Sequence, residues 1–321
     1  MKLVVLGGSG FIGSRLVDQL LRQGHDVRNI DIAPSAMHAD RTTRADVRDA
    51  SAMREVLTRC EAVINLAAAH GDDVQPVSLY DEVNRVGAQN IVRAARENGV
   101  PRIVFVSSAA VYSPGQALAD ESSALLPATP YGCSKASAEA VYVEWANADL
   151  ARHSLTMLRP CVVFGEGGRG NVHRLIEQIR RQRFVMIGRG SHRKSIAYVG
   201  NLVDFLCTQI DNPCGVHVCN YADQPDLTTR ELVDMIRRLL PQGALDRVRV
   251  PYALALAAGY LLDAVALTRG RPAVARTRIT KFCSDTRLAT TTLARTGFRA
   301  HTSHSEALAR AVAHAVATRQ Q

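Results

Sequence analysis

The sequence predicts an α/β fold, a doubly wound parallel sheet with a smaller C-terminal lobe. Two observations carry this prediction. Apolar runs of strand length alternate with helical stretches through the first half of the chain, and a glycine-rich turn links the first run to the first helix. With 321 residues the chain can bury a large core, and it shows no internal repeat.

The N-terminal turn has the composition of a phosphate-binding turn. Lys2–Leu6 is an apolar run typical of a buried parallel strand, and 14–23 is a helical stretch that Gly24 ends. Glycine is needed where a turn is tight and where backbone must approach a pyrophosphate at the N-terminus of a helix. The glycines of the turn are Gly7, Gly10 and Gly13.

An acidic residue follows at the distance expected for a dinucleotide site. The second strand, 26–30, leads into Asp31, eighteen positions after Gly13. A carboxylate here can accept hydrogen bonds from the adenosine ribose hydroxyls, and it would repel a 2′-phosphate. No Arg stands immediately beside Asp31, so the sequence favours NAD over NADP.

A second motif supplies acid–base chemistry. Tyr131 and Lys135 are four residues apart, so on a helix they share one face. We expect the Lys135 ammonium to lower the pKa of the Tyr131 phenol, which is about 10 for the free side chain. Ser108, at the end of a preceding strand, can hydrogen-bond the substrate oxygen that the phenolate deprotonates.

The remaining elements continue the alternation. The sequence predicts further strands at 62–66, 103–107 and 155–158 and helices near 51–59, 79–98 and 131–148. After a Pro- and Gly-rich stretch at 165–170 come a basic helix (172–183), short strands near 184–187 and 194–199, and two more helical stretches. We therefore predict a nucleotide-binding unit over 1–164 and a lobe over 165–321, with some later segments returning to the main sheet.

Cysteine usage and charge limit the classes of partner. Seven scattered cysteines show no metal-binding spacing, and no secretory segment is visible, so we expect a cytoplasmic protein with reduced thiols and no metal. The net charge is −4 over residues 1–150 and +13 over residues 151–321. The basic half predicts an anionic partner, a sugar diphosphate or a membrane surface, and the lack of a recognition motif argues against nucleic acid.

These features together resemble the extended short-chain dehydrogenase/reductase family of NAD-dependent sugar epimerases and dehydratases. The resemblance covers nearly the whole chain and implies a Rossmann-type sheet, a substrate-binding C-terminal lobe, NAD, and a catalytic set of Ser108, Tyr131 and Lys135. The residues that it places at the cofactor are Gly7, Gly10, Phe11, Ile12, Gly13, Asp31, Asp46, Val47, Leu66, Ala67, Ala68, Tyr131, Lys135, Pro160 and Val163. Asp46 and Val47 would hold the adenine, and Pro160 and Val163 would lie near the nicotinamide. For Asn65 and Asn84, ligand contact and hydrogen bonding within loops are equally open.

Longer segments resemble a narrower group, the bacterial 4-epimerases of undecaprenyl-diphosphate-linked N-acetylglucosamine. Among them are 69–80, 163–172, 184–190, 194–201 and 220–227. This resemblance implies a diphosphate-linked N-acetylhexosamine as substrate, used in surface polysaccharide synthesis. It implies that the substrate-contacting residues are His70, Ser108, Asn171, Arg193 and Lys194.

Other activities of the same family are open at this point. Sugar 4,6-dehydratases of similar sequence carry an Asp-Glu pair after the Ser, and here Ala109 and Ala110 occupy those positions, which argues against dehydration. A soluble UDP-sugar 4-epimerase, a 4-keto-sugar reductase and a non-catalytic NAD-sensing protein are the alternatives. The Ser108, Tyr131 and Lys135 set argues against the last of them.

One apolar segment bears on location. Residues 251–268 are almost wholly apolar or small, and Arg269, Arg271, Arg276 and Arg278 follow. Asp263 would cost about 2.5–3.5 kcal/mol in the centre of a bilayer, which argues against a membrane span. The segment predicts either a helix that docks on an anionic membrane surface or a helix buried in the C-terminal lobe. A homodimer is a further expected assembly.

Overall fold

The computed structural model describes residues 1–71, 74–113, 116, 118–240, 249–269 and 275–318. In chain order its strands are β1 (Lys2–Leu6), β2 (Asp26–Asp31), β3 (Thr42–Arg44), β4 (Ala62–Asn65), β5 (Arg102–Val106), β6 (Ser154–Pro160), β7 (Val162–Phe164), β8 (Met186–Ile187), β9 (Arg193–Tyr198), β10 (Gly215–Tyr221), β11 (Asp223–Thr228) and β12 (Arg249–Val250). Its helices are α1 (Gly13–Arg22), α2 (Ala50–Val56), α3 (Ser78–Tyr80), α4 (Gly87–Asn98), α5 (Pro130–Asn147), α6 (Asn171–Arg180), α7 (Val199–Thr208), α8 (Thr229–Leu239), α9 (Tyr252–Thr268), α10 (Ala275–Phe282), α11 (Thr291–Arg295) and α12 (His304–Ala317).

The main sheet has seven parallel strands in the order β10-β6-β5-β4-β1-β2-β3. The chain reverses its direction of travel across the sheet between β1 and β4, and ligands of such folds bind at this switch point. The residues directly after these strands, Gly7 and Leu66, therefore lie at the mouth of the expected site. The predicted doubly wound α/β fold is confirmed.

Helices cover both faces of the sheet. On one face α2, α4 and α5 pack together over a core that includes Phe105, Tyr142 and Trp145. On the other, α1 packs on α7, and α6, α8 and α12 pack on one another. The strands are apolar on both faces because both faces are covered, which is why they lack the alternating pattern of half-exposed strands.

The C-terminal half contributes to both parts of the molecule. β10 returns to the main sheet as its edge strand beside β6, while β7, β9 and β11 form a separate three-stranded sheet and β8 pairs with β12. The division at residues 164 and 165 stays a prediction.

The predicted helix at 79–98 is continuous but irregular. It consists of α3, a π-helical stretch at Asp81–Val86, and α4. Short π-helical stretches inside helices are frequent near functional sites. Here the stretch carries Asn84, which takes part in the site described below.

The apolar segment at 251–268 forms α9, and most of this helix is exposed. Only Ala255 and Gly259 are buried, and Gly259 faces Arg276 and Ile279 of α10. The expectation of a helix buried in the lobe is therefore wrong, because α9 packs mainly against α10 and not on the sheet. Of the helices the structure describes, none has both the length and the apolar composition that crossing a membrane requires.

Candidate active site

The glycine-rich turn after β1 leaves no room for side chains. A Cβ atom on Gly7 would lie 2.6 Å from the Ala67 nitrogen, and one on Gly13 would lie 2.2 Å from the Gly7 oxygen. Helix α1 begins at Gly13 without a side-chain cap and without an acidic residue in its first turn. Backbone N–H groups and the positive end of the helix are thus available to an anion, which suits the pyrophosphate of NAD.

Asp31 ends β2 beside this turn. Its carboxylate accepts hydrogen bonds from the backbone nitrogens of Ser9 (2.9 Å) and Ala33 (3.0 Å). Each oxygen keeps a second lone pair, so the carboxylate can still accept from a ribose hydroxyl. The structure adds a neighbour that the sequence analysis did not consider. In the register of the parallel strands β2 and β3, Arg44 lies opposite Asp31, so an Arg stands beside it in the sheet although not in the sequence.

The predicted adenine and cofactor-lining residues occupy neighbouring loops at the same edge of the sheet. Asp46 is paired with Arg48, whose side-chain hydrogen bond holds the pKa of Asp46 below its usual value. The Asn90 side chain fixes this loop by donating to the Val47 and Arg48 carbonyls. Leu66, Ala67 and Ala68 follow β4 and are partly buried, Pro160 is buried at the end of β6, and Val163 is partly buried on β7.

Ser108 and Tyr131 are held together by the contact between α5 and the loop that follows β5. The Ser108 side chain lies close enough to the Tyr131 hydroxyl to lower the pKa of that phenol. Tyr131 lies in the first turn of α5, where the Thr129 side chain caps the helix. Gly132 makes the approach feasible, since a Cβ atom there would lie 2.3 Å from the Ala110 oxygen.

Burial affects the pKa values of both Tyr131 and Lys135. Burial raises the pKa of Tyr131, and the hydrogen bond to Ser108 opposes that rise. Lys135 is buried, its Nζ donates to the Val106 oxygen at 2.7 Å, and it lies 4.3 Å from the centre of the Phe105 ring. Burial lowers the pKa of Lys135 to about 7. Ser108 lowers the pKa of the phenol. The effect that the sequence analysis assigned to Lys135 stays a prediction.

A buried polar network lies directly behind Lys135. Glu139, one helical turn further along α5, receives two hydrogen bonds from Arg159 on β6 (3.0 and 2.7 Å) and one from Ser107 (2.5 Å). Arg159 also donates to the Tyr112 hydroxyl, which donates in turn to Asn220 on β10. The negative charge of Glu139 opposes the fall in the Lys135 pKa that burial causes.

Asn84 connects the loop after β4 to the catalytic helix. It accepts from the Ala69 nitrogen and donates to the Ala69 oxygen and to the Ser134 hydroxyl. Asn65 bonds the Tyr142 hydroxyl and the Ala67 nitrogen. For both residues the structure shows hydrogen bonding within the fold, one of the two roles that the sequence left open.

The predicted substrate residues are spread over three segments. His70 lies exposed in the loop after β4, and Asn171 begins α6, also exposed. Arg193 begins β9 and donates to the Asp226 carbonyl. The Lys194 ammonium donates to the carbonyls of Lys281 and Ser284 at the end of α10, and burial lowers its pKa to about 8. Their contact with a substrate stays a prediction.

Sequence reasoning gave no role to Gly132, Glu139, Arg159 or Arg44. Glu139 extends the spacing of Tyr131 and Lys135 by a further four residues, a signal that could have been used. The others depend on pairings between distant parts of the chain. Among the described residues no cluster of side chains suits a metal ion.

Comparison with known proteins decides the family. The model of the NAD dependent epimerase/dehydratase family matches residues 3–220. The chain belongs to this family. Its cofactor is therefore NAD, and the glycine turn, the uncapped start of α1 and Asp31 fit that cofactor.

Within this epimerase/dehydratase family, one relative is similar along most of the chain. The N-acetyl-alpha-D-glucosaminyl-diphospho-ditrans,octacis-undecaprenol 4-epimerase of Escherichia coli O157:H7 is 38% identical over 310 residues, which cover 96% of this chain and 93% of that protein. Among solved structures, MoeE5 in complex with UDP-glucuronic acid and NAD is 25% identical, with a TM-score of 0.78 and coverage of 99% and 100%. UDP-glucose 4-epimerase from Thermotoga maritima is 21% identical, with a TM-score of 0.79 and coverage of 99% of both chains, and shares the fold.

Proposed function

We propose that this protein is an NAD-dependent 4-epimerase that interconverts the gluco and galacto forms of a diphosphate-linked N-acetylhexosamine, with undecaprenyl diphosphate as the carrier. The observation that carries the proposal is that Ser108, after β5, and Tyr131, in the first turn of α5, lie beside each other at the sheet edge that also holds the glycine turn. The similarity to the Escherichia coli 4-epimerase supports the choice of sugar and carrier.

Tyr131 and Ser108 have different roles in the proposed reaction. Tyr131 removes the proton from the C4 hydroxyl, and Ser108 holds the same oxygen while supporting the phenolate. The NAD that the glycine turn and Asp31 would hold would supply a hydride acceptor and donor for C4. Ala109 and Ala110 carry no group that moves a proton, so the site lacks the second acid–base pair that dehydration needs.

Inversion also requires the sugar to turn over while its diphosphate stays bound. Arg193 and Ile196 are three residues, or about 10 Å, apart along β9. Ile196 pairs with Val162 on β7. We assign Arg193, Lys194 and Asn171 to the diphosphate and His70 to the sugar side. Cations that bind the diphosphate away from C4 would hold the phosphates without blocking rotation of the ring.

We also place the enzyme in the cytoplasm, in peripheral contact with an anionic membrane, because a polyprenyl diphosphate stays at the lipid surface. The homodimer stays a prediction, which size-exclusion chromatography with light scattering checks directly.

The test is incubation with N-acetylglucosaminyl-diphospho-polyprenol and, separately, with UDP-GlcNAc, followed by analysis of the released sugar. We expect the galacto epimer from the lipid-linked substrate without net use of NAD(P)H. Tyr131→Phe should abolish turnover while NAD binding persists, and Cys133→Ala, an exposed neighbour on the same turn, should keep full activity.

Three results would contradict the proposal. Stoichiometric NAD(P)H consumption would indicate a 4-keto-sugar reductase, and turnover of UDP-GlcNAc alone would indicate a UDP-sugar epimerase. Activity of Tyr131→Phe within a few-fold of the wild type would remove Tyr131 from the role of base.

A further inference from the structure

Helices α9 and α10 form an antiparallel hairpin, here called the docking hairpin (Tyr252–Thr268 and Ala275–Phe282). Gly259 allows close packing, since a Cβ atom there would lie 2.8 Å from Cδ1 of Ile279. The Asp263 carboxylate accepts hydrogen bonds from the backbone nitrogens of Ala275 and Arg276. The acidic side chain of α9 is thus used inside the hairpin, to cap α10.

The outward face of α9 is apolar along its whole length. Leu254, Ala258, Leu261 and Val265 follow the spacing of one helical face, opposite the face that packs on α10. Leu254 is 63% exposed and Leu261 is 68% exposed. The helix is about 25 Å long, so the stripe is larger than the scattered apolar groups of an ordinary protein surface.

Basic side chains lie at the end of α9 and on α10. Arg269 ends α9, and Arg276 and Arg278 lie exposed on α10. The Arg276 guanidinium lies 5.1 Å from the centre of the exposed Tyr260 ring. A helix pair with one apolar face and with exposed Arg and Tyr side chains has the composition of elements that lie in the interface of an anionic bilayer.

The charges favour a membrane over a second copy of this chain. In a two-fold dimer through α9 the same arginines of both copies would meet around the contact, and like charges at an interface are unfavourable. Lipid phosphates would instead neutralise them. The acidic group that could have offset these arginines, Asp263, faces α10.

The hairpin is also connected to the predicted diphosphate site. Lys194 on β9 holds the end of α10 through the Lys281 and Ser284 carbonyls, and the Phe282 ring packs on Phe184 at 6.1 Å. The element with the exposed apolar face is therefore fixed directly beside Arg193 and Lys194.

We propose that the docking hairpin lies in the headgroup region of an anionic bilayer, with α9 parallel to the surface. Leu254, Leu261 and Val265 reach the boundary between the headgroups and the acyl chains, while Arg276 and Arg278 contact lipid phosphates. The purpose of this contact, to bring the site to a lipid-linked sugar, rests on the proposed function, but the surface itself is tested without it.

The test is co-sedimentation of the full chain with phosphatidylglycerol-containing vesicles and with pure phosphatidylcholine vesicles, at about 0.05 M and about 0.5 M salt. We expect binding to the anionic vesicles at low salt and at least a ten-fold loss at high salt. Leu254→Ser/Leu261→Ser and Arg276→Gln/Arg278→Gln should each weaken binding about ten-fold or more, since the first removes apolar contact with the lipid and the second removes attraction to an anionic surface. Leu150→Ser and Arg93→Gln/Arg96→Gln, exposed residues elsewhere, should bind as the wild type does.

Retained NAD affinity shows that each variant is folded. Absence of wild-type binding to anionic vesicles at low salt would overturn the proposal, as would wild-type binding by Leu254→Ser/Leu261→Ser. A wild-type dimer that this variant converts to a monomer, without vesicle binding, would show that a second copy covers α9. Vesicle binding without turnover of the lipid-linked sugar would contradict the proposed function and leave the docking surface standing.

Discussion

At the scale of single residues, the site is shaped by burial as much as by charge. Tyr131 and Lys135 are placed one helical turn apart, yet burial raises the pKa of the phenol and lowers that of the ammonium. Each group is thereby moved towards its neutral form. Ser108 opposes the rise in the Tyr131 pKa, and the charge of Glu139 opposes the fall in the Lys135 pKa.

The lowered pKa of Lys135 predicts a pH-dependent stability. The folded pKa is about 7, whereas an unfolded Lys titrates near about 10.4. Between these pH values the unfolded chain binds more protons than the folded chain. The contribution of Lys135 to the free energy of unfolding therefore rises as the pH increases from about 7 to about 10. It is lost again as the pH falls to about 7. Urea unfolding of the NAD-free wild type and Lys135→Met should show this difference. Lys2→Met, a change at an exposed lysine, should not, and parallel pH profiles for wild type and Lys135→Met would contradict it.

Asp31 and Arg44 predict the choice of cofactor. The carboxylate should make NADP bind at least ten-fold more weakly than NAD, since a 2′-phosphate would approach a like charge. Asp31→Ala should narrow that preference, and because Arg44 pairs beside Asp31, Asp31→Ala/Arg44→Ala should lose the gain in NADP affinity. Titration calorimetry measures both ligands. Equal affinity of the wild type for NAD and NADP would show that Asp31 has another role.

At the scale of elements, the position of α5 against the loop after β5 sets the site. Gly132 has no side chain, so α5 can approach the Ala110 carbonyl closely. The ion pair between Glu139 and Arg159 connects the same helix to β6. The predicted catalytic side chains are therefore positioned by contacts of two nearby residues of α5, Gly132 between them and Glu139 beyond them.

Gly132→Ala tests that contact. The added Cβ atom would lie 2.3 Å from a backbone oxygen, so either the loop or the first turn of α5 must move, and Tyr131 should move away from Ser108. A misplacement of this kind costs up to about 100-fold in rate, so we expect kcat to fall by about ten-fold to 100-fold with NAD affinity little changed. Cys133→Ala is the matched control. A kcat equal to that of the wild type would show that this close approach does not position Tyr131.

The element scale also shows what the sequence could predict. The strands, the glycine turn and most helix positions followed from local patterns, because buried parallel strands and capped helices have strong local signals. The neighbour relation of Asp31 and Arg44 did not, because it depends on how β2 pairs with β3. The return of β10 to the sheet and the exposure of α9 depend likewise on contacts between distant segments.

At the scale of the whole molecule, stability should be unevenly distributed. Helix α5 contains the fully buried Tyr142 and Trp145, while the docking hairpin is attached mainly through the end of α10. Regions with few buried apolar contacts open at lower free energy than the core. Charge is also unevenly distributed, with an acidic half over residues 1–150, which contains α5, and a basic half over residues 151–321, which contains the docking hairpin.

Hydrogen exchange of the full chain, without lipid, should therefore show α9 and α10 exchanging well before α5. Asp263→Ala, which removes the cap of α10, should speed exchange in the hairpin and leave that of α5 unchanged. Equal protection of α9 and α5 would indicate that α9 is covered in solution, for example by another copy of the chain.

The π-helical stretch at Asp81–Val86 makes the length of the chain at this point as important as its composition. A π-turn contains one residue more than an α-turn, and each residue of a helix rotates the next by about 100°. Deleting one residue there would restore regular winding and turn Asn84 away from Ala69 and Ser134, while every residue of the catalytic set kept its identity. When sequences related to this one are aligned, a single-residue gap between 81 and 86 should therefore be weighed like a substitution in the active site.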